Sequence, residues 1–209
     1  MDEVVKVENI MKSFGNHQVY QGFSMNIKRN EFVVIKGKSG CGKSTLLNMI
    51  GLLDIPDKGH IYLFNEEVHP FSRKAEQYLK YKIGYLFQNF ALLENETVFY
   101  NIMLSIEHHK IKDKEKLIKE ALDTVGLQGY EYKKVCECSG GEQQRIAIAR
   151  LLLKPCELVL ADEPTGSLDR DNKKEICHLL KLLQEKGKTI IVVSHDEDVL
   201  MYADRIITI

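Results

Sequence analysis

The chain has 209 residues, enough for one domain with a substantial core and too few for two complete ones. Its 29 basic and 30 acidic side chains leave a formal net charge of -1, which gives no electrostatic reason to expect a nucleic-acid partner. Five cysteines, an odd number, include only one close pair, Cys136-x-Cys138, a residue short of zinc-type spacing, so reduced thiols and no metal–thiolate site are expected.

The opening residues, Met1-Asp2-Glu3-Val4-Val5-Lys6, lack a basic leader and an apolar segment of signal-peptide length, which predicts a cytosolic start. No run approaches the ~18 apolar residues of a membrane span, so a membrane role would act through another polypeptide. Residues 3 to 10 and 23 to 28 alternate in polarity, as in Val5/Val7 and Phe23/Met25/Ile27, around a polar turn at Gly15-Asn16. They predict an antiparallel β layer. Phe14 ends the first segment; alone it reads as core, or as a ring returning beside a ligand. Phe32-Val33-Val34-Ile35 is a buried-strand run and Thr45-Leu46-Leu47-Asn48-Met49-Ile50 fits a helix.

Between them, Gly37-Lys38-Ser39-Gly40-Cys41-Gly42-Lys43-Ser44-Thr45 occupies a strand-to-helix turn. Its glycines permit positive φ, so consecutive N–H groups converge on an anion at the positive end of the new helix. The spacing G-x-x-x-x-G-K-S is that of a phosphate cradle. Lys43 supplies a charge for the β- and γ-phosphates and Ser44 a hydroxyl for Mg²⁺.

A strand is predicted over 59–64, a charged helix near 72–82, and a buried strand over 83–88 that ends in the amide of Gln88. From 97 to 126 the pattern is helical. Leu117, Ile118, Ala121, Leu122 and Val125 form a stripe, with Asp113 as N-cap and Gly126 just past the end. Adjacent His108 and His109 do not share a helix face, which argues against a metal pair. Ser139-Gly140-Gly141-Glu142 is a capping box that opens a helix ended by Pro155, and its glycines leave N–H groups bare for a phosphate. Leu158-Val159-Leu160-Ala161 carries Asp162 and Glu163 to the end of a strand. Ser167-Leu168-Asp169 precedes an amphipathic helix over 171–186, closed by Gly187. Thr189-Ile190-Ile191-Val192-Val193-Ser194 delivers His195 to the same kind of edge, and a short strand follows from Arg205 to Ile209.

Taken in order, these motifs resemble the ATP-binding subunits of ABC transporters along essentially the whole chain. The resemblance implies an α/β P-loop NTPase core with an antiparallel β layer and a helical insertion, the ABC ATPase fold. One domain would span 1–209, with a helical subdomain at about 89–153. It places Phe14 against adenine, Gly37, Lys38, Ser39, Gly40, Cys41, Gly42, Lys43, Ser44 and Thr45 around the phosphates, and Ser44, Gln88 and Asp162 at the metal. Glu163 matches the catalytic base, with His195 and Gln88 beside it; Ser139, Gly140, Gly141 and Glu142 match the signature sequence, and Asp169 the D-loop. Two positions depart from the family pattern, Cys138 for leucine and Glu142 for glutamine, and neither removes a backbone amide. The implied cofactors are ATP and Mg²⁺. The implied partners are a second ATPase subunit, stacked head to tail with ATP between them, and a transmembrane permease that holds the pair at the cytoplasmic face of the membrane.

Residues 84–93 and 161–169 resemble the export-type branch, which includes lipoprotein release, macrolide efflux and bacteriocin or peptide export. Residues 94–98 resemble the bacteriocin exporters in particular. The apolar stretch Asn89-Phe90-Ala91-Leu92-Leu93, with Val98-Phe99-Tyr100 beyond it, is the expected groove for a permease helix. Other classes fit less well. A DNA-repair ATPase would insert a long coiled coil before Ser139, and a translation factor would carry two copies of the motifs. Asn172-Lys173-Lys174-Glu175 has Glu where a guanine-reading motif needs Asp.

Overall fold

A long antiparallel hairpin opens the chain, β1 (Glu3–Phe14) and β2 (His17–Lys28), paired from Glu3↔Lys28 to Phe14↔His17. The computed structural model describes residues 3–166 and 168–209; Met1 and Asp2 of the leader reading, and Ser167 of the Ser167-Leu168-Asp169 motif, lie outside the described residues. β3 (Phe32–Lys36) leads into α1 (Lys43–Ile50). Then come β4 (Lys58–Leu63), β5 (Glu66–Glu67), α2 (Arg73–Tyr81), β6 (Ile83–Leu86), α3 (Val98–Met103) and α4 (Lys114–Thr124). A 3₁₀ turn (Val135–Glu137) precedes α5 (Gly140–Leu153), β7 (Leu158–Asp162), α6 (Arg170–Glu185), β8 (Thr189–Val193), α7 (Glu197–Leu200) and β9 (Arg205–Thr208).

The strands form two sheets. One is antiparallel in the order β2-β1-β4-β5; the other is parallel in the order β6-β7-β8-β3-β9. The central strands β3, β7 and β8 are apolar without alternation because both faces are covered, whereas the edge strand β9 alternates in burial. Phe32 and Val34 of β3 join a core with α3, α4, α5 and α6, whereas Val33 and Ile35 join a second core with α1 and the antiparallel layer. This is the expected ABC ATPase architecture.

The helical pattern over 97–126 resolves into α3 and α4, the second starting at the expected cap. Between Met103 and Lys114 only Ile106 is fully buried, so nothing holds a helix there, and Ser105 turns its hydroxyl onto the Ile102 carbonyl at 2.8 Å. Asp113 does cap α4, accepting the Lys116 N–H, and Gly126 follows with φ 68°. α3 and α4 pack on α5. Cys138 is a small apolar side chain of that core, and burial pushes its thiol pKa up. No helix among the described residues is long and apolar enough to cross a membrane.

Candidate active site

Four neighbouring parallel strands deliver the functional segments to one edge. β3 runs into Gly37–Thr45, β7 ends at Asp162 and Glu163, β8 leads to Ser194 and His195, and β6 leads to Gln88. Ligands of open α/β sheets bind at the carboxyl ends of their strands, where loops diverge. A cavity of about 530 Å³ lies there, lined by Gly37, Lys38, Ser39 and Lys43 together with Gln88, Glu163, Gly166 and His195.

The cradle is held from behind. Gly42 has φ 99° and precedes α1 without a side-chain cap, leaving the first amides of the helix uncapped by the chain. The Tyr20 hydroxyl donates to the Gly42 carbonyl at 2.9 Å, and its burial raises its pKa. A Cβ on Gly42 would sit 2.2 Å from Val19 Cγ1, so only glycine lets the loop lie this close to β2. Lys43 is buried, and its ammonium donates to the Gly37 and Lys38 carbonyls at 3.0 Å each. Cys41 turns its thiol under the loop, where a Cβ on Gly37 would meet it at 2.7 Å. Thr45 stands half-buried on the first turn of α1.

Ser44 Oγ donates to Asp162 Oδ1 at 3.1 Å. Burial pushes the Asp162 carboxyl up, opposed by that hydrogen bond. A half-buried carboxylate beside a hydroxyl, with a side-chain amide at the same edge, is an all-oxygen donor set, which suits Mg²⁺.

Glu163 carries backbone strain, with φ 44° for a side chain that has a Cβ. Both carboxylate oxygens are held: Oε1 lies 2.9 Å from His195 Nδ1, and Oε2 accepts the Ser194 hydroxyl at 3.3 Å. Ser194 is fully buried, and its oxygen accepts the Asp196 N–H at 3.1 Å, which turns its own hydrogen toward Glu163. Asp196 in turn accepts the Thr165 hydroxyl at 3.0 Å and pairs with Lys173 at 2.7 Å. Sequence reasoning missed Ser194; its only signal is a hydroxyl between a buried run and a histidine.

Three predicted groups stand apart from this cavity. Phe14 projects at the hairpin end, 53% exposed. At the start of α5 the capping box is complete: Ser139 Oγ accepts the Glu142 N–H at 3.3 Å, and Glu142 Oε2 accepts the Ser139 N–H at 2.7 Å. The Tyr130 hydroxyl adds a bond to Glu142 Oε1 at 2.6 Å. Gly140 has nothing within 4 Å of an added Cβ, whereas Gly141 faces the Asn172 side chain. Asp169 caps α6, accepting the N–H groups of Asp171 and Asn172.

A second cavity of about 360 Å³ lies between α2, α5 and the turns after α3, with Tyr85, Phe87, Ala91 and Leu104 among its lining. His108 and His109 both face it; no metal-binding cluster of three His, Cys, Asp or Glu side chains occurs among the described residues. Phe90, expected to line a groove, packs against the core, and Leu93 is half exposed without lining this cavity.

Comparison with known proteins settles the family. The model of the ABC transporter family matches residues 20–166. This chain belongs to the ABC transporter family, as an ATP-binding ATPase domain. The lipoprotein-releasing system ATP-binding protein LolD of Bacteroides fragilis is 39% identical, over 98% of this chain and 96% of that protein. The macrolide export ATP-binding/permease protein MacB of Chlorobaculum tepidum is also 39% identical over 98% of the chain, which spans only 32% of that longer protein. Among solved structures, a dimeric ATP-binding cassette in a post-hydrolysis state with bound ADP and Pi superposes with a TM-score of 0.88 at 37% identity, covering 98% of this chain and 94% of that one. The ABC ATPase fold, ATP binding and ATPase activity follow for this domain.

Proposed function

We propose that this ABC ATPase drives an export-type transporter, with ATP closed between two copies stacked head to tail. The observation that carries the reading is the Glu163 carboxylate, gripped by His195 and Ser194 at the mouth of the cavity walled by Gly37, Lys38, Ser39 and Lys43. In that position Glu163 orients the attacking water and takes its proton. His195 holds the base and reaches the γ-phosphate, and Lys43 with the amides of residues 38–45 neutralises charge on the transferring group. Ser44, Asp162 and Gln88 would hold Mg²⁺, which when bound neutralises phosphate charge.

Phe14 carries the base, and Ser139, Gly140 and Gly141 of the partner copy, at the N-terminus of α5 that Glu142 caps, close over the γ-phosphate. Asp169 joins that interface. The single domain 1–209, with its helical part at about 89–153, docks a permease at the cytoplasmic face of the membrane. The cavity beside Phe87 and Leu104 is the receiving surface. For cargo we infer a peptide of the bacteriocin kind, from the resemblance of residues 94–98. The likeness to proteins named for lipoprotein release and macrolide export favours a second reading, in which the cargo is one of those.

The test is Glu163→Gln, with hydrolysis and sedimentation measured together. Turnover is expected to fall by at least about 100-fold, in the range of losing a general base, while ATP still binds and the chain accumulates as a dimer. Full ATPase activity in the variant would sink the assignment.

A further inference from the structure

Lys12 is a lysine only 8% exposed, on a β-strand, outside the cavity and outside every motif. Its ammonium donates to Asp54 Oδ1 at 2.7 Å and to the Ile55 carbonyl at 2.7 Å, and it lies over the Phe14 ring, 5.1 Å from the centroid. The ring it underlies is 53% exposed, so the cation is buried and the aromatic is in water. Burying a charge costs desolvation that an apolar side chain would avoid, and one ion pair often only breaks even. A fixed cation against an aromatic face is what this arrangement adds.

The connections lead to the phosphate cradle by two routes. Asp54 follows α1, and its N–H is bonded to the Asn48 carbonyl of that helix, whose other end is the cradle. Across the hairpin Lys12 pairs with Tyr20, whose hydroxyl holds the Gly42 carbonyl. A simple tie between β1 and the segment after α1 does not require Lys12. The Asp57 N–H already bonds the Met11 carbonyl at 2.8 Å, and Asp57 Oδ2 accepts the Ser13 N–H at 2.7 Å.

We propose that Lys12 is a positioning residue for the nucleotide base: clamped by Asp54 and Ile55, it holds the Phe14 ring as a platform at a fixed reach from the cradle. The proposal rests on the reading of Phe14 as the adenine platform. One face of the ring takes the ammonium, which draws π density away and leaves the other face better suited to an electron-rich purine. Preorganising the ring also removes the entropy cost of ordering an exposed side chain when ATP binds.

The experiment compares ATP with inorganic tripolyphosphate, which has the phosphates but no base, by calorimetry on Lys12→Met, Lys12→Arg, Phe14→Ala and the Lys12→Met/Phe14→Ala double variant. Lys12→Met is expected to weaken ATP about two- to fivefold, the range of an exposed cation–π contact, with tripolyphosphate unchanged and Lys12→Arg close to wild type. In the Phe14→Ala background the same change should add nothing. If Lys12→Met does not fold, Lys12→Gln, also uncharged, takes its place. Equal weakening of both ligands, an undiminished effect without Phe14, or no effect on ATP would overturn the proposal. Wild-type ATP affinity in Phe14→Ala alone would overturn the platform reading and this inference with it.

Discussion

Two helices of this domain begin at glycine-rich turns, and they are finished in opposite ways. α1 follows Gly42, which has φ 99° and offers no side-chain cap, whereas α5 follows Ser139 within a complete capping box. A helix start leaves its first N–H groups without partners inside the helix. At α1 the chain supplies no side-chain acceptor, and the turn is braced by β2 through Val19 and Tyr20. At α5 the side chains of Ser139 and Glu142 satisfy two donors, and the Gly140 and Gly141 amides remain. In the proposed function the first terminus encloses an anion within one chain; the second is self-sufficient and presents Gly140 outward, with Gly141 buried against Asn172. The same sequence signal, glycines at a helix start, thus serves two architectures, and the second-layer contacts distinguish them.

Gly42→Ala and Gly140→Ala measure that difference. At Gly42 a Cβ meets Val19 Cγ1 at 2.2 Å and the positive φ penalises any side chain. Strain alone costs about 1–3 kcal/mol, which lowers the melting temperature by about 2–4 °C per kcal/mol in a chain of this size. Loss of ATP binding should accompany it. At Gly140 a Cβ meets nothing within 4 Å, and alanine is the better helix former by up to about 1 kcal/mol. Gly140→Ala is therefore expected to melt no lower than wild type and to bind ATP normally, yet to dimerise poorly with ATP in the Glu163→Gln background. Unimpaired dimerisation would show that the open face of α5 is not the one that meets a partner.

The strand edge is legible in the sequence because β3, β7 and β8 are continuous apolar runs whose ends coincide with a change to polar residues. Asp162, Glu163 and His195 thus come to one edge with residues 37–45. Short elements are not legible: β5 has two residues and α7 four, too few for any period to register. The start of α4 is legible through its cap Asp113, whereas α3, with six residues, carries no stripe long enough to mark it. Ser194 and Lys12 escape for another reason. Each is one polar residue whose meaning depends on a partner distant in the chain, Glu163 at a separation of 31 and Asp54 at a separation of 42. Phe90 misleads in the opposite direction, since an apolar segment between two elements gives no sign of which side chain turns inward.

The smallest effect concerns the charge within the α5 cap. Glutamine at the third helical position also completes a capping box, so Glu142→Gln removes the charge while keeping an acceptor for the Ser139 N–H; its amide nitrogen then faces Tyr130, whose hydroxyl oxygen accepts from it. The Tyr130 hydroxyl holds the Glu142 carboxyl below its ordinary value, burial opposing it and the Ser139 N–H assisting. A carboxyl whose pKa is lower folded than unfolded adds stability above the unfolded value of about 4.5 and loses it as pH falls through the folded value. Wild type should therefore exceed Glu142→Gln at pH 7, by roughly 0.3–1 kcal/mol for a charge at a helix start, and the gap should close below pH ~4.5. Urea unfolding of both chains across that range measures it. A gap that stays constant with pH would mean that glutamine simply packs less well and that the ionised carboxylate adds nothing, leaving α5 capped by geometry alone.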